Sequence, residues 1–425
     1  MSKNKTEKKY VASALIRASL APITVILLSL HLSPNEQGAW YLLSNLAVLM
    51  TVLDLGYTVA LTQTLARLQG QNREISRAAR YGAVKNLLLG AIRRALIISI
   101  AGVLLIIFGV QLSNMPDQIK GDFGFIMVYV TAFILNFWLI FAHAIMEGLN
   151  SISQSLSVKI YNSIAYVTTV SICLSSSLGV YSLVLAILLS SSTSLILVLA
   201  MSRKYLIRLK SAERVLTSLD GYQHQLSNQY LLSYFSGFVI LQSILVQAAP
   251  FLSIEEIGRL GISLSICAGV FGVSTAVVAN VMPELNQIYQ NDVVAANILM
   301  VKKLIKSCVL FISLASAFLI VRYLLHYAYQ IEIRMLPKLQ LLVLFGSFFI
   351  QNALNAIAVF LRASGKDVLM IPSFVQAVSI LIVNYIGFSD QIIALPIGFL
   401  CFSNIILLIF AINQRNRVLK NAQVQ

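Results

Sequence analysis

Apolar runs of about twenty residues recur along the whole chain, and each is long enough to cross a bilayer as a helix. The 425 residues are 58% hydrophobic and only 11% charged. A soluble domain carries about 25% charged residues, so this composition requires a largely apolar solvent. A mean hydropathy of +0.83 agrees. A transmembrane barrel would show short alternating segments instead of these long runs. The expectation is an all-α polytopic membrane protein with twelve transmembrane helices in two six-helix lobes. The expected spans are 12–32, 39–62, 92–112, 123–146, 157–176, 180–201, 229–252, 259–282, 304–325, 338–361, 368–388 and 391–412.

The basic residues orient these spans. Twenty-five of the 31 Lys and Arg fall in segments on one side of the expected helices, and five fall on the other: Lys120, Arg259, Arg322, Arg334 and Lys338. The remaining one, Arg17, lies within the first span. Such a bias marks the rich side as cytoplasmic and places both termini there. It also accounts for the net charge of +15 without a nucleic-acid partner. The opening MSKNKTEKKY is basic, and no small-residue cleavage site follows its apolar run, so the run is read as an uncleaved first span. The longest basic stretches, 66–91 and 202–228, are expected to be partly helical along the membrane surface.

The chain repeats itself. Ser33, Glu36 and Gly38 in SPNEQG precede one long apolar run, and Ser253, Glu256 and Gly258 in SIEEIG precede another, 220 residues later. Gly148 and Gly365 follow the fourth and tenth spans, 217 residues apart. Six spans repeated in the same orientation imply parallel repeats, an arrangement found in transporters. The expected division is an N-terminal six-helix lobe 1–205, a cytoplasmic linker 206–228 and a C-terminal six-helix lobe 229–425.

Charges inside apolar spans are costly and need a reason. Asp54, in DLGY, is placed deep in the second span, and Arg17 at comparable depth in the first. Two readings stand: a structural ion pair at a helix interface, or an arginine that binds an anion with Asp54 orienting it. Snorkelling of Arg17 to the headgroups is a third. Arg93 and Arg94 open the third span and read as topology anchors. Arg322, beside Tyr323, His326 and Tyr327, is either an aromatic-belt arginine or a cavity arginine of the second half. His143 and Glu147 are spaced i, i+4 on the fourth span and are candidates for ion coupling, as is Asp54. Amides within spans, Asn352, Gln376 and Asn404 among them, either line a polar vestibule or bond helix to helix. The cysteines Cys173, Cys267, Cys308 and Cys401 have no paired spacing and read as small buried hydrophobes.

There is no Walker A sequence, no metal-ligand cluster, no Ser/His/Asp signature and no large outer loop. No cofactor is expected, and an enzyme is the weaker class. NEQGAW before the second span, LDLGYTVALTQTLAR at its end, EGLN after the fourth and ASGK after the tenth resemble the polysaccharide-flippase branch of the multidrug/oligosaccharidyl-lipid/polysaccharide exporter (MOP) superfamily. Within it the chain looks most like the O-antigen repeat-unit flippases. That resemblance implies transport of an undecaprenyl-diphosphate-linked oligosaccharide, an O-antigen or related surface-polysaccharide repeat unit, from the inner to the outer leaflet of the bacterial inner membrane. It implies a cationic cavity, with Arg17, Asp54 and Arg322 as candidates toward the diphosphate. Membrane lipids, a polysaccharide polymerase and a chain-length regulator are the implied partners. The alternatives are a cation-coupled multidrug exporter of the same superfamily and a membrane-embedded enzyme of envelope assembly.

Overall fold

The structure is a computed structural model that describes residues 16, 20, 23–54, 56–70, 77–213, 219–279, 281–330, 333–364 and 367–424. The regular structure among those residues is all helix, joined by turns, with no strand. Helical residues 23–31 form α1. There follow α2 (Pro34–Leu53), α3 (Tyr57–Gly70), α4 (Arg77–Leu112), α5 (Asp117–Lys120), α6 (Phe123–Gly148), α7 (Ile152–Ser175) and α8 (Tyr181–Ser211). The chain continues with α9 (Leu219–Ala248), α10 (Ile254–Ala279), α11 (Met282–Asn291), α12 (Val293–Tyr329), α13 (Lys338–Arg362), α14 (Met370–Ser389) and α15 (Ala394–Val424).

Among the described residues nine helices are long and apolar enough to cross a membrane: α4, α6, α8, α9, α10, α12, α13, α14 and α15. Their surfaces show what solvent they need. Only 17% of the apolar window of α12 is buried. Ile305, Val309, Ile312, Ile320 and Leu324 stand exposed along it, and Leu96, Ile100, Leu104 and Phe108 do so along α4. Apolar rows of this length exposed on rods with internally bonded backbones suit hydrocarbon.

Three expected spans are not among the nine. The first is described only in part, at residues 16, 20 and 23–32, where 23–31 form α1. The fifth is helical as α7, but Lys159 and its serines and asparagine make it more polar. The second is a correction. It was expected as one long helix, and instead α2 ends at Leu53 and α3 begins at Tyr57. Gly56 between them has φ 77, a left-handed conformation that a glycine adopts without steric cost. The basic stretches are partly helical, as expected. Helix α4 runs unbroken from Arg77, and α8 runs unbroken to Ser211. These segments are continuous with the apolar rods.

By contacts the described chain forms two compact units, and the division runs through α2 after Leu42. In the unit holding Leu43–Phe235, Leu139, Met146, Val158 and Val198 form a core of α6, α7 and α8. In the unit holding Tyr10–Leu42 and Ser236–Gln425, Leu285, Met300, Leu354, Phe360, Leu361 and Leu407 join α11, α12, α13 and α15. Burying such large side chains is worth about 1.5–3 kcal/mol each in water. In lipid, where tails are as apolar as leucine, close packing does more of the work.

The repeated sequence is a repeated structure. Ser33 N and Oγ donate to Glu36 Oε2 at 2.9 and 2.7 Å, while Glu36 N donates back to Ser33 Oγ at 3.4 Å. Ser253 and Glu256 do the same at 3.0, 2.7 and 3.3 Å. Both are capping boxes, which satisfy orphan N–H groups at a helix start. Within the second unit the two starts touch. A Cβ on Gly38 would lie 1.8 Å from the Ile254 carbonyl oxygen, and one on Gly258 would lie 3.1 Å from Gly38 N. The glycines permit backbone-to-backbone contact there.

Candidate functional site

The break between α2 and α3 holds Asp54, the only buried carboxylate among the described residues. Its main-chain carbonyl accepts from Tyr57 N at 2.8 Å. Its carboxylate accepts from Thr58 N at 3.3 and 3.1 Å and from Thr58 Oγ1 at 2.7 Å. The side chain therefore caps the first turn of α3, where the helix dipole favours negative charge. Tyr57, next to it, is buried between charge and aromatic ring. The Arg94 guanidinium carbon, from α4, lies 4.4 Å from the centre of the Tyr57 ring. Phe141, from α6, stacks on Tyr57 at 6.2 Å. Arg94 also acts electrostatically on Asp54, though no ion pair joins them.

A second cluster joins α6 to α7. His143 Nδ1 lies 3.0 Å from Ser155 Oγ, Ser155 Oγ donates to Glu147 Oε1 at 2.8 Å, and Lys159 Nζ donates to the same oxygen at 2.6 Å. With the Ser155 proton committed to Glu147, its oxygen accepts from a protonated Nδ1. The turn that closes this cluster needs Asn150 at φ 63, and it needs Gly148. A Cβ at Gly148 would meet Leu65 Cβ at 2.7 Å and the Thr62 carbonyl oxygen at 2.9 Å. Beyond the other end of α6, Asp122 caps the helix through Phe125 N at 2.9 Å. The Tyr181 hydroxyl donates to its other oxygen and holds the Asp122 carboxyl below the usual range.

The ends of α4 and α8 are tied together as well. Lys85 Nζ donates to the Ala212 carbonyl at 2.7 Å, and Arg208 donates to the Tyr81 hydroxyl at 3.3 Å. Burial, with help from Tyr81, pushes the Tyr205 hydroxyl up to about 12.

Of the residues singled out from sequence, Arg17 lies outside the described residues. Arg322 is partly exposed on α12, beside the exposed and mutually stacked Tyr323 and Tyr327. His143 and Glu147 come together through Ser155. The amides Asn352, Gln376 and Asn404 bond to Ser307, Ser403 and Ser347 on neighbouring helices. The sulfurs are free thiols, with Cys173 and Cys267 buried. Sequence reading passed over Ser155 and Lys159, although their own i, i+4 spacing mirrors His143 and Glu147 across the turn between α6 and α7. It also passed over Tyr57 as the partner of Arg94, because the two are 37 positions apart in the chain.

No protein-family model matches the chain, and no curated protein matches it by sequence. Solved structures do match. An inward-facing multidrug resistance MATE family transporter of the MOP superfamily aligns with a TM-score of 0.65 at 12% identity, over 97% of this chain and 99% of that one. The lipid II flippase MurJ, in an inward closed conformation, gives 0.67 at 13% identity over 98% and 90%. The chain shares the fold of these two proteins. The MATE multidrug transporter DinF-BH gives 0.63 at 14% identity over 97% and 94%. With its exposed apolar helices, a chain of this fold is a multi-pass membrane protein.

Proposed function

We propose that the protein is a flippase, not an enzyme, that moves an undecaprenyl-diphosphate-linked oligosaccharide across the bacterial inner membrane. The substrate is an O-antigen or related repeat unit, and it travels from the inner to the outer leaflet by alternating access. Two six-helix lobes, 1–205 and 229–425, joined by the linker 206–228, carry the motion, with twelve spans and both termini in the cytoplasm. The observation that carries this reading is the charge of the interior. Asp54 is the only buried carboxylate among the described residues; it is satisfied by Thr58 and faced by the cation of Arg94. An interior of that balance suits an anionic head group rather than an organic cation. The likeness to a lipid II flippase supports the same direction.

In this reading Arg17, Asp54 and Arg322 serve the diphosphate, and Asp54, His143 and Glu147 serve ion coupling. The His143–Ser155–Glu147–Lys159 chain supports the coupling role, since it links a histidine to a carboxylate through one hydroxyl. A polysaccharide polymerase and a chain-length regulator act downstream. A second reading, export of organic cations, is favoured by the MATE likenesses. The test is a strain that lacks its own repeat-unit flippase but retains the matching sugar-assembly enzymes. The gene restores surface polysaccharide there. Failure with every cognate substrate, together with resistance to cationic drugs, would establish the second reading instead.

A further inference from the structure

We propose that Arg94, mounted on Tyr57 beside the α2–α3 break, binds the phosphate oxygens of the substrate head group. The inference rests on the flippase reading and gives the Arg94 cation a binding role that this reading leaves unassigned. Arg94 is partly buried on an apolar helix, where a cation without a role is costly. Its face lies over the Tyr57 ring, and Phe141 backs that ring. A stacked guanidinium keeps its five N–H donors around its edge. Among the described residues no hydrogen bond or ion pair uses them. A purely structural arginine would be expected to pair with the one buried carboxylate nearby, but no bridge joins Asp54 to Arg94, and Thr58 satisfies Asp54 instead. The cation is thus held in place while its fork stays unspent. The neighbouring surface is open. Gly90, one turn before Arg94, is exposed, and a Cβ there would only just touch the Tyr57 hydroxyl, at 3.9 Å. A planar fork with a free approach matches phosphate oxygens bidentately.

The full chain in phosphatidylcholine nanodiscs provides the test, with undecaprenyl diphosphate and undecaprenol as probes and affinity read by thermophoresis. Wild type binds the diphosphate more tightly than the alcohol. Arg94→Gln weakens diphosphate binding roughly ten- to a hundred-fold, the range of a lost charged hydrogen bond, and leaves the alcohol unchanged. Arg94→Lys falls between. Gly90→Leu, which fills the open side beside Arg94, weakens diphosphate binding. Replacing phosphatidylcholine with phosphatidylglycerol separates the sources. Competition lost with Arg94→Gln means that membrane phosphates also reach the site; no competition assigns the site to the diphosphate alone. If Arg94→Gln binds the diphosphate as tightly as wild type, the inference is wrong and the flippase reading stands. If wild type does not prefer the diphosphate to the alcohol, both fall.

Discussion

Residues 33–70 and 253–291 are two versions of one device. Each opens on a Ser–Glu capping box of nearly identical geometry, runs into a helix with glycine near its start, breaks, and resumes as a shorter helix. They differ at the break. In the first, α2 stops after 20 residues, and Gly56 and the Asp54 carboxylate shape the joint. In the second, α10 runs 26 residues, and α11 begins at Met282-Pro283 with no side-chain cap at Val281. The nearest carboxylate there, Glu284, is exposed. The shared part is what a helix start needs in order to pack. The divergent part places a buried charge in one rod and none in the other, and the proposed chemistry gathers around the charged one.

The two starts are alike in sequence but not in tolerance. Gly38→Ala drives a Cβ against the Ile254 carbonyl, so it should abolish monodisperse protein or cost more than about 3 kcal/mol, the upper end of overpacking. Gly258→Ala meets the Gly38 backbone at a tight 3.1 Å, less severe than 1.8 Å, and should cost about 1 kcal/mol. Thermal melting of the purified variants ranks them, and equal shifts would show that the close approach is not as described. Gly148→Ala pushes on Leu65 and on the Thr62 carbonyl and should lie between, at about 1–3 kcal/mol.

The breaks are compared by removing their carboxylates. Asp54→Ala loses the α3 cap and should cost about 1–2 kcal/mol, whereas Glu284→Ala should stay within about 0.5 kcal/mol. If both melt alike, the charge at the first joint has no structural task. Most even are the capping boxes. Ser33→Ala and Ser253→Ala should each cost about 1 kcal/mol, because the bonds they lose match to within 0.1 Å.

Much of this was legible from sequence for simple reasons. A bilayer span announces itself through length and hydropathy, and nine of the expected spans stand as such helices. The capping boxes are local, so their four-residue pattern was enough. The α2–α3 joint was harder to see. LDLGY sits in an apolar run that favours continuation, and the only mark against it was a glycine that in this chain takes positive φ. Arg94 looked like a boundary anchor because its partners, Tyr57 and Asp54, approach it only through tertiary packing. The His143–Glu147 pair was visible on its own helix, yet its meaning changes once Ser155 and Lys159 fold back onto it.

The central claim is movement of a lipid-linked saccharide without chemical change. Purified protein reconstituted in vesicles that carry an undecaprenyl-diphosphate oligosaccharide on one leaflet tests it directly, with a membrane-impermeant lectin reporting arrival on the other. The account predicts lectin-accessible, chemically intact substrate at a rate that protein-free vesicles do not reach. Vesicles in which the substrate stays on its original leaflet, while the same protein moves a cationic dye, would contradict it.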